Sequence, residues 1–434
     1  MDKIEQKILN VIDAHADELQ ALADDIFHHA EQGYHEFRTA EKAEAFLKKL
    51  GLEPETGLAI TGLRASLGNG GGPNVALIGE LDGIACAGHP AANGGYAHAC
   101  GHYAQMVCML GAALALSDPE VAASLDGTAT FFAVPAEEFQ GDAVLEEVRR
   151  THGVRCMGGK CELLRTGKFD DIDMAVTTHS LMVEREGGAD LMLGNSACTG
   201  FIGKTVYMHG RAAHAAAAPH MGANALNAAC LGMSALGMIH ETFREKDCVR
   251  VHPYIRKGGQ AINVVPSEVE VDMMVRANTQ EVIEEVSRKV DNCFKGAALA
   301  IGCTCDIVDT QGYMPCPEIA PNAMMEECAA LLGDGVKTEP IPLGVCNTAS
   351  TDVGDLCTVM PVMNFTFGGS TGDLHSVDYQ VTDPVAAHIL PAKLMALLAY
   401  RLLRDGAKEA KDYIAGYKPL MTKEEYKAYC EKWG

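Results

Sequence analysis

Apolar positions along the chain fall into two periods, and each period predicts its own kind of element. Residues 1–50 read as helical. Ile4, Ile8 and Ile12 recur at helical spacing, and Ala40, Ala43, Phe46 and Leu50 repeat it until Gly51, a usual helix stop. Residues 73–82 form a continuous apolar run (Pro-Asn-Val-Ala-Leu-Ile-Gly-Glu-Leu-Asp), the pattern of a strand buried on both faces. Residues 103–117 are apolar on nearly every side, with Met106, Val107, Leu110 and Leu114, which predicts a buried helix. Two further apolar strands are expected at 127–134 and 173–178. Strands alternating with helical segments imply βαβ units and a mainly parallel sheet, an α/β fold.

The character changes near residue 192. Strands are expected at 199–209, 248–255, 264–276 and 297–308, with helices at 223–240 and 281–294. In 264–276, Val269, Val271, Met273 and Val275 alternate with polar residues, so that strand is half-buried. The pattern predicts an α+β unit at 192–309, inserted between a first part (1–191) and a second part (310–434) of the α/β domain. A buried strand at 361–368 and a long helix at 384–404 complete the second part.

Two domains also suit 434 residues, too many for one ordinary core. A net charge of −23 argues against nucleic acid or an anionic membrane surface as partner. The first ten residues lack the basic and apolar regions of a signal peptide, and no apolar run reaches the ~20 residues of a membrane span, so the expected location is the cytoplasm. The 16 cysteines are then read as reduced thiols. Cys303 and Cys305, at alternate positions of a strand, are read as two small core side chains on one face rather than as a motif.

Candidate chemistry gathers at the ends of the apolar strands. Cys100 and His102 lie in a glycine-rich segment just before the buried helix. On extended backbone both face one way and can share a site. Glu137 and Glu138 follow the strand ending near Pro135, and on extended backbone their side chains diverge. One carboxylate then ligates metal while the other serves as a general base. His179 ends the strand before it, and His375 follows the strand at 361–368, both in the positions where α/β folds carry their sites. Cys100, His102, Glu138, His179 and His375 make a coherent donor set for one or two divalent ions.

Several motifs occur together in order: Gly79-Glu-Leu-Asp-Gly83, His98-Ala-Cys-Gly-His102, Pro135-Ala-Glu-Glu138, His179, Gly210-Arg-Ala-Ala-His214 with Pro219-His220, Asn263-Val-Val-Pro266, Ser350-Thr-Asp352 and His375. With them the chain resembles the metal-dependent aminoacylase/carboxypeptidase family of amidohydrolases, which includes aminobenzoyl-glutamate, hippurate and indoleacetyl-amino-acid hydrolases. The resemblance implies a metallopeptidase-like catalytic domain with an inserted dimerisation domain, and hydrolysis of an amide in an N-acyl or N-aroyl amino acid or a dipeptide. Cys100, His102, Glu138, His179 and His375 would be the metal ligands, for zinc or manganese first and cobalt or nickel next. Glu137 would take a proton from the activated water and return it to the leaving amine. His214 would stabilise the oxyanion across the interface of a homodimer. Asn263 and Arg276 would bind substrate, although a packing role suits Arg276 equally.

Tyr103 and Gln105 depart from the family pattern, which continues Cys-Gly-His with Asp and a later His. Glu80 stands where other peptidase relatives carry a histidine ligand, a role that Cys100 takes over, and Asp82 is left a supporting one. The segment 84–96, with His89, either lines the pocket or is an ordinary loop, and the loop is the preferred reading. Two competing readings remain at this point. One is a non-catalytic small-molecule-binding protein of the same fold. The other is an iron–sulfur protein, suggested only by the cysteine count, although the cysteines lack cluster-like grouping.

Overall fold

The computed structural model of the chain describes residues 1–68, 70–138, 141–181 and 188–433. Contacts divide it into two units, the first made of Met1–Ser196, Glu318–Val345 and Asp355–Ala428. The second holds Ala197–Pro317, Cys346–Gly354 and the residues from Tyr429 onward.

In chain order the first unit begins with α1 (Lys3–Ala14), α2 (Ala16–Phe27) and α3 (Phe37–Lys49). Next come β1 (Glu55–Leu58), β2 (Gly62–Gly68), β3 (Asn74–Glu80), α4 (His102–Leu116), β4 (Thr128–Val134), α5 (Gly159–Arg165), β5 (Met174–Ser180) and β6 (Leu191–Leu193). The second unit follows, with β7 (Gly200–His209), α6 (Ala225–Ile239), β8 (Arg250–Val251), β9 (Tyr254–Lys257), β10 (Glu268–Ala277), α7 (Gln280–Ile301) and β11 (Thr304–Gln311). The chain then returns to the first unit with β12 (Thr338–Pro340), β13 (Val362–Phe367) and α8 (Leu390–Leu403).

The first unit is built on an eight-stranded sheet of order β1-β2-β4-β3-β5-β13-β6-β12. Its centre, β4-β3-β5-β13, is wholly parallel. The antiparallel pairs, β1 with β2, β2 with β4 and β13 with β6, lie to either side of it. Parallel strands have both faces covered, and here α4 supplies much of the cover. It is buried on almost every side, and Gly79 lets it close on β3, because a Cβ there would meet the Met106 Cα at 3.0 Å. Val385–Leu403, ending in α8, is long and apolar enough to cross a membrane, which the apolar runs had not suggested. With 83% of that stretch buried, and packed on α4, it is a core helix.

The second unit is an antiparallel sheet, β8-β10-β7-β11 with β9 also on β10, covered by α6 and α7. Val269, Val271, Met273 and Val275 of β10 fill its core from alternate positions. Its boundaries differ from those the pattern predicted. Residues 192–196 belong to the first unit, because β6 hydrogen-bonds to β12 and β13. Residues 346–354 join the second, where Cys346 and Asn347 pair with Ala197 and Cys198. The expected strand at 297–308 begins only at Thr304, since Ala297–Ile301 continue α7 until Gly302 turns left-handed (φ +77°). The expected strand at 248–255 is two short strands broken by His252 and Pro253, and proline offers no N–H to a ladder. Cys303 is buried and Cys305 half-buried against the same core.

Candidate metal centre and active site

The four central parallel strands end on one side of the sheet, and each delivers a polar group there. β3 ends with Glu80 and leads to Asp82. β4 leads to Glu137 and Glu138, β5 carries His179, and β13 leads to the loop of His375. Cys100 and His102 enter from the N-terminus of α4.

The expected extended geometry at both paired motifs is not what the backbone adopts. Gly101 is left-handed (φ +87°) and His102 is already the first residue of α4. The position admits only glycine, because a Cβ on Gly101 would lie 2.6 Å from the Ser180 Cβ. Ala136 is left-handed as well (φ +49°), so Glu137 and Glu138 leave a turn rather than a strand. Glu36, fully buried, fixes that turn by accepting the Ala136 amide at 2.8 Å and the Thr61 hydroxyl at 2.5 Å.

The turns nevertheless bring the six first-unit candidates together. Cys100 is shared between two groups, one with His102 and His179 and one with Glu138 and His375. Its sulfur lies 3.4 Å from His179 Nε2 and 3.3 Å from His375 Nε2. His375 Nε2 lies 2.9 Å from Glu138 Oε1. Glu137 Oε2 is 3.9 Å from His102 Nε2. The His375 amide donates to the Ala99 carbonyl at 2.8 Å, which ties its loop to the Cys100 segment.

Asp82 organises the inner side. His102 Nδ1 lies 3.0 Å from its carbonyl and 3.1 Å from its Oδ1, while its Oδ2 accepts the Glu138 amide at 2.9 Å. His102 Nε2 is thereby aimed into the cluster, buried and without a hydrogen bond among the described residues. His179 is held likewise, with Nδ1 2.8 Å from the Ser180 carbonyl. Imidazoles whose far nitrogen is fixed in this way are the usual form of metal-bound histidine. An orphaned ring nitrogen among thiol and carboxylate donors fits a divalent cation.

The electrostatics agree. Burial, with the Glu138 carboxylate beside it, holds the Cys100 thiol well above its usual range, which outweighs the help of His102. A metal ion at the site would favour the thiolate. Burial opposes the charge of His102, but Cys100, Glu80 and Asp82 outweigh it and raise the imidazole strongly. Burial lowers His179. For Glu138, burial works upward, and the His375 hydrogen bond and the His102 charge carry the carboxyl below its usual range.

Two of the departures from the family pattern have different outcomes. Gln105 reaches the site, donating from Nε2 to Glu80 Oε2 at 2.7 Å. Tyr103 turns away, with its phenol 3.2 Å from His388 Nε2. His89 is buried against the Tyr379 carbonyl at 2.7 Å, so its loop is packed structure. The residues that motif reading missed are Lys160 and Glu36. The one signal for Lys160 was its place among small and apolar residues in Met157–Leu164, a stretch that also holds Glu162, since charge is seldom buried unpaired. Glu36 had none, lying in a segment read as helix.

The other three candidates belong to the second unit. His214 is exposed, and its Nδ1 accepts the amides of Ala216 and Ala217 at 3.2 and 3.1 Å. Asn263 lies beside it, since the Ala215 amide donates to the Asn263 carbonyl at 3.0 Å. Arg276 is apart from them on β10, partly buried. It donates to Ser350 Oγ at 2.7 Å and lies 5.0 Å from the Phe201 ring centroid.

A parallel sheet with a thiol–imidazole–carboxylate cluster at its strand ends, interrupted by an α+β insertion, defines a metallopeptidase-type hydrolase. Residues 197–301 match the family model described as the peptidase dimerisation domain of the M20 peptidases. The chain is 28% identical to Xaa-Arg dipeptidase of Mus musculus over 97% of its own length and 91% of that protein. It is 30% identical to a p-aminobenzoyl-glutamate hydrolase polypeptide of Escherichia coli over 75% of its length and 64% of that protein. A dinuclear metal-binding M20 peptidase of Bacillus subtilis shares the fold, with a TM-score of 0.66 at 20% identity over 90% of this chain and 99% of that one. The chain carries an M20-type peptidase dimerisation domain, resembles dipeptidases and aminobenzoyl-glutamate hydrolases in sequence, and is a metal-dependent amidohydrolase.

Proposed function

We propose that this protein hydrolyses the amide bond of an N-acyl or N-aroyl amino acid, or of a dipeptide, in the cytoplasm and as a homodimer. The observation that carries the reading is the convergence of Glu137 on the cluster around Cys100, with its carboxylate 3.9 Å from His102 Nε2 and buried. Cys100, His102, Glu138, His179 and His375 would hold one or two divalent ions, which supply a water of lowered pKa and polarise the scissile carbonyl. Thiol and imidazole donors suit zinc, and the carboxylate admits manganese. The names of the relatives, a dipeptidase and an aroyl-glutamate hydrolase, support the substrate class.

Glu137 accepts a proton as the water oxygen attacks the carbonyl carbon, then delivers it to the nitrogen as the C–N bond breaks. His214 is suited to the developing oxyanion. Two amides hold its Nδ1 as an acceptor, which leaves the neutral ring's proton on Nε2, a donor. Its exposure, and that of Ile262 and Met221 on the same tip, is consistent with service to the partner subunit's site. Asn263, beside His214, would bind substrate, and Arg276 is a candidate for its carboxylate.

The test is an activity screen of the metal-loaded protein against N-acyl amino acids, aroyl-glutamates and dipeptides, run beside Glu137→Ala. Hydrolysis reduced by about 10²–10⁴-fold in the variant, with metal content unchanged, supports the reading. A wild-type protein with metal bound and no hydrolysis of any amide would overturn it.

A further inference from the structure

Lys160 is a fully buried cation that the proposed chemistry does not use. It stands on α5, and its Nζ lies 2.5 Å from Glu80 Oε1. Glu80 is itself buried at the end of β3. Its other oxygen accepts Gln105 Nε2 at 2.7 Å and lies 3.2 Å from His102 Nε2, the nitrogen aimed into the cluster. A carboxylate thus stands within a short reach of any ion held by His102, with both oxygens already engaged by donors from α4 and α5.

A contribution to stability alone explains this arrangement poorly. A buried ion pair roughly breaks even against an apolar pair of the same volume, because each ion loses several kcal/mol of hydration. What the pair does change is the donor set. Glu80, Asp82, Glu137, Glu138 and Cys100 would crowd five negative groups around three imidazoles. A further free oxygen donor would favour a harder ion of higher coordination number over a thiolate- and imidazole-bound one.

We propose that Lys160, with Gln105, is a positioning residue that holds the Glu80 carboxylate out of the coordination shell beside His102, and so sets the ligand number and the preference of the centre for a thiolate- and imidazole-bound ion. The inference rests on the reading of Cys100, His102 and His179 as ligands.

The test loads the parent protein, Lys160→Met, Glu80→Gln and the double variant with equimolar zinc and manganese under a chelator. Bound metal is counted by mass spectrometry, and each protein is also loaded with cobalt(II) and its visible absorption recorded. In Lys160→Met the manganese-to-zinc ratio should rise by about tenfold, the low end of effects from groups supporting metal ligands. Its cobalt bands should weaken as coordination rises above four. Glu80→Gln and the double variant should match the parent in both readouts, because the carboxylate is gone. Loss of metal from Glu80→Gln would show that Glu80 is itself a ligand and overturn the proposal, as would a Lys160→Met protein with the parent's ratio and spectrum. If Lys160→Met does not fold, the other two variants decide: unchanged ratios support the proposal and altered ones overturn it. A parent protein that takes up none of the three ions overturns the metal reading itself, and the proposal with it.

Discussion

The two sides of Cys100 are built on opposite plans. On one side, His102 and His179 sit on regular elements, with their outer nitrogens fixed by Asp82 and a backbone carbonyl. Glu80, Asp82 and Lys160 behind them are buried. On the other side, His375 is 47% exposed on a loop with left-handed backbone (φ +64°), and its amide is tied to Ala99. The inner side is preorganised, and its cost lies in buried charge. The outer side is exposed at His375, and a ligand there can adjust at little cost in packing.

The comparison breaks most sharply at His102. His102→Ala leaves Asp82 and Glu80 facing each other without the imidazole, so metal should be lost and stability should fall by roughly 3–5 kcal/mol, read as metal content and urea midpoint. Next is Gly101→Ala. Its Cβ would meet Ser180 at 2.6 Å on backbone of φ +87°, and a loss of about 1–3 kcal/mol is expected even with metal removed. His375→Ala should weaken metal binding by about 10–100-fold while the melting temperature of the metal-free protein stays put. If it melts as early as His102→Ala, the contrast between the two sides is wrong.

The last effect appears as a slope. Burial, with Asp82 nearby, raises the Glu36 carboxyl from 4.5 to about 8. Below pH 4.5 both folded and unfolded chains hold this proton, so Glu36 contributes nothing to the pH dependence. Between 4.5 and about 8 the unfolded chain releases it and the folded one keeps it, so stability falls as pH rises, then levels off. Glu36→Gln should flatten that fall, measured by denaturant titration across the window.

Much of this architecture was legible in the chain because buried strands are long apolar runs. The strands β3, β4, β5 and β13 and helix α4 announced themselves, and with them the strand ends that carry Glu137, Glu138 and His179. What the pattern hid were conformations and partners. The turns at Gly101 and Ala136 depend on Ser180 and Glu36, which lie far off in sequence. Lys160 and Glu80 are 80 residues apart, and neither is unusual until the fold joins them. The short strands β6 and β12, of three residues each, are too brief to show a period, which is why the inserted unit was placed too early.

The strand order also has a consequence for synthesis. β5, which carries His179, has β3 on one flank and β13 on the other. β13 begins at residue 362 and β5 ends at 180, so the ribosome must make all of the second unit but its last residues, from Tyr429, between them. At ~5–20 residues per second the gap lasts roughly ten to forty seconds. Throughout it the nascent chain presents an apolar strand with an unpaired edge, the kind of surface that chaperones cover. The histidine at its tip waits equally long for His375, so the centre can be completed only after translation has nearly finished.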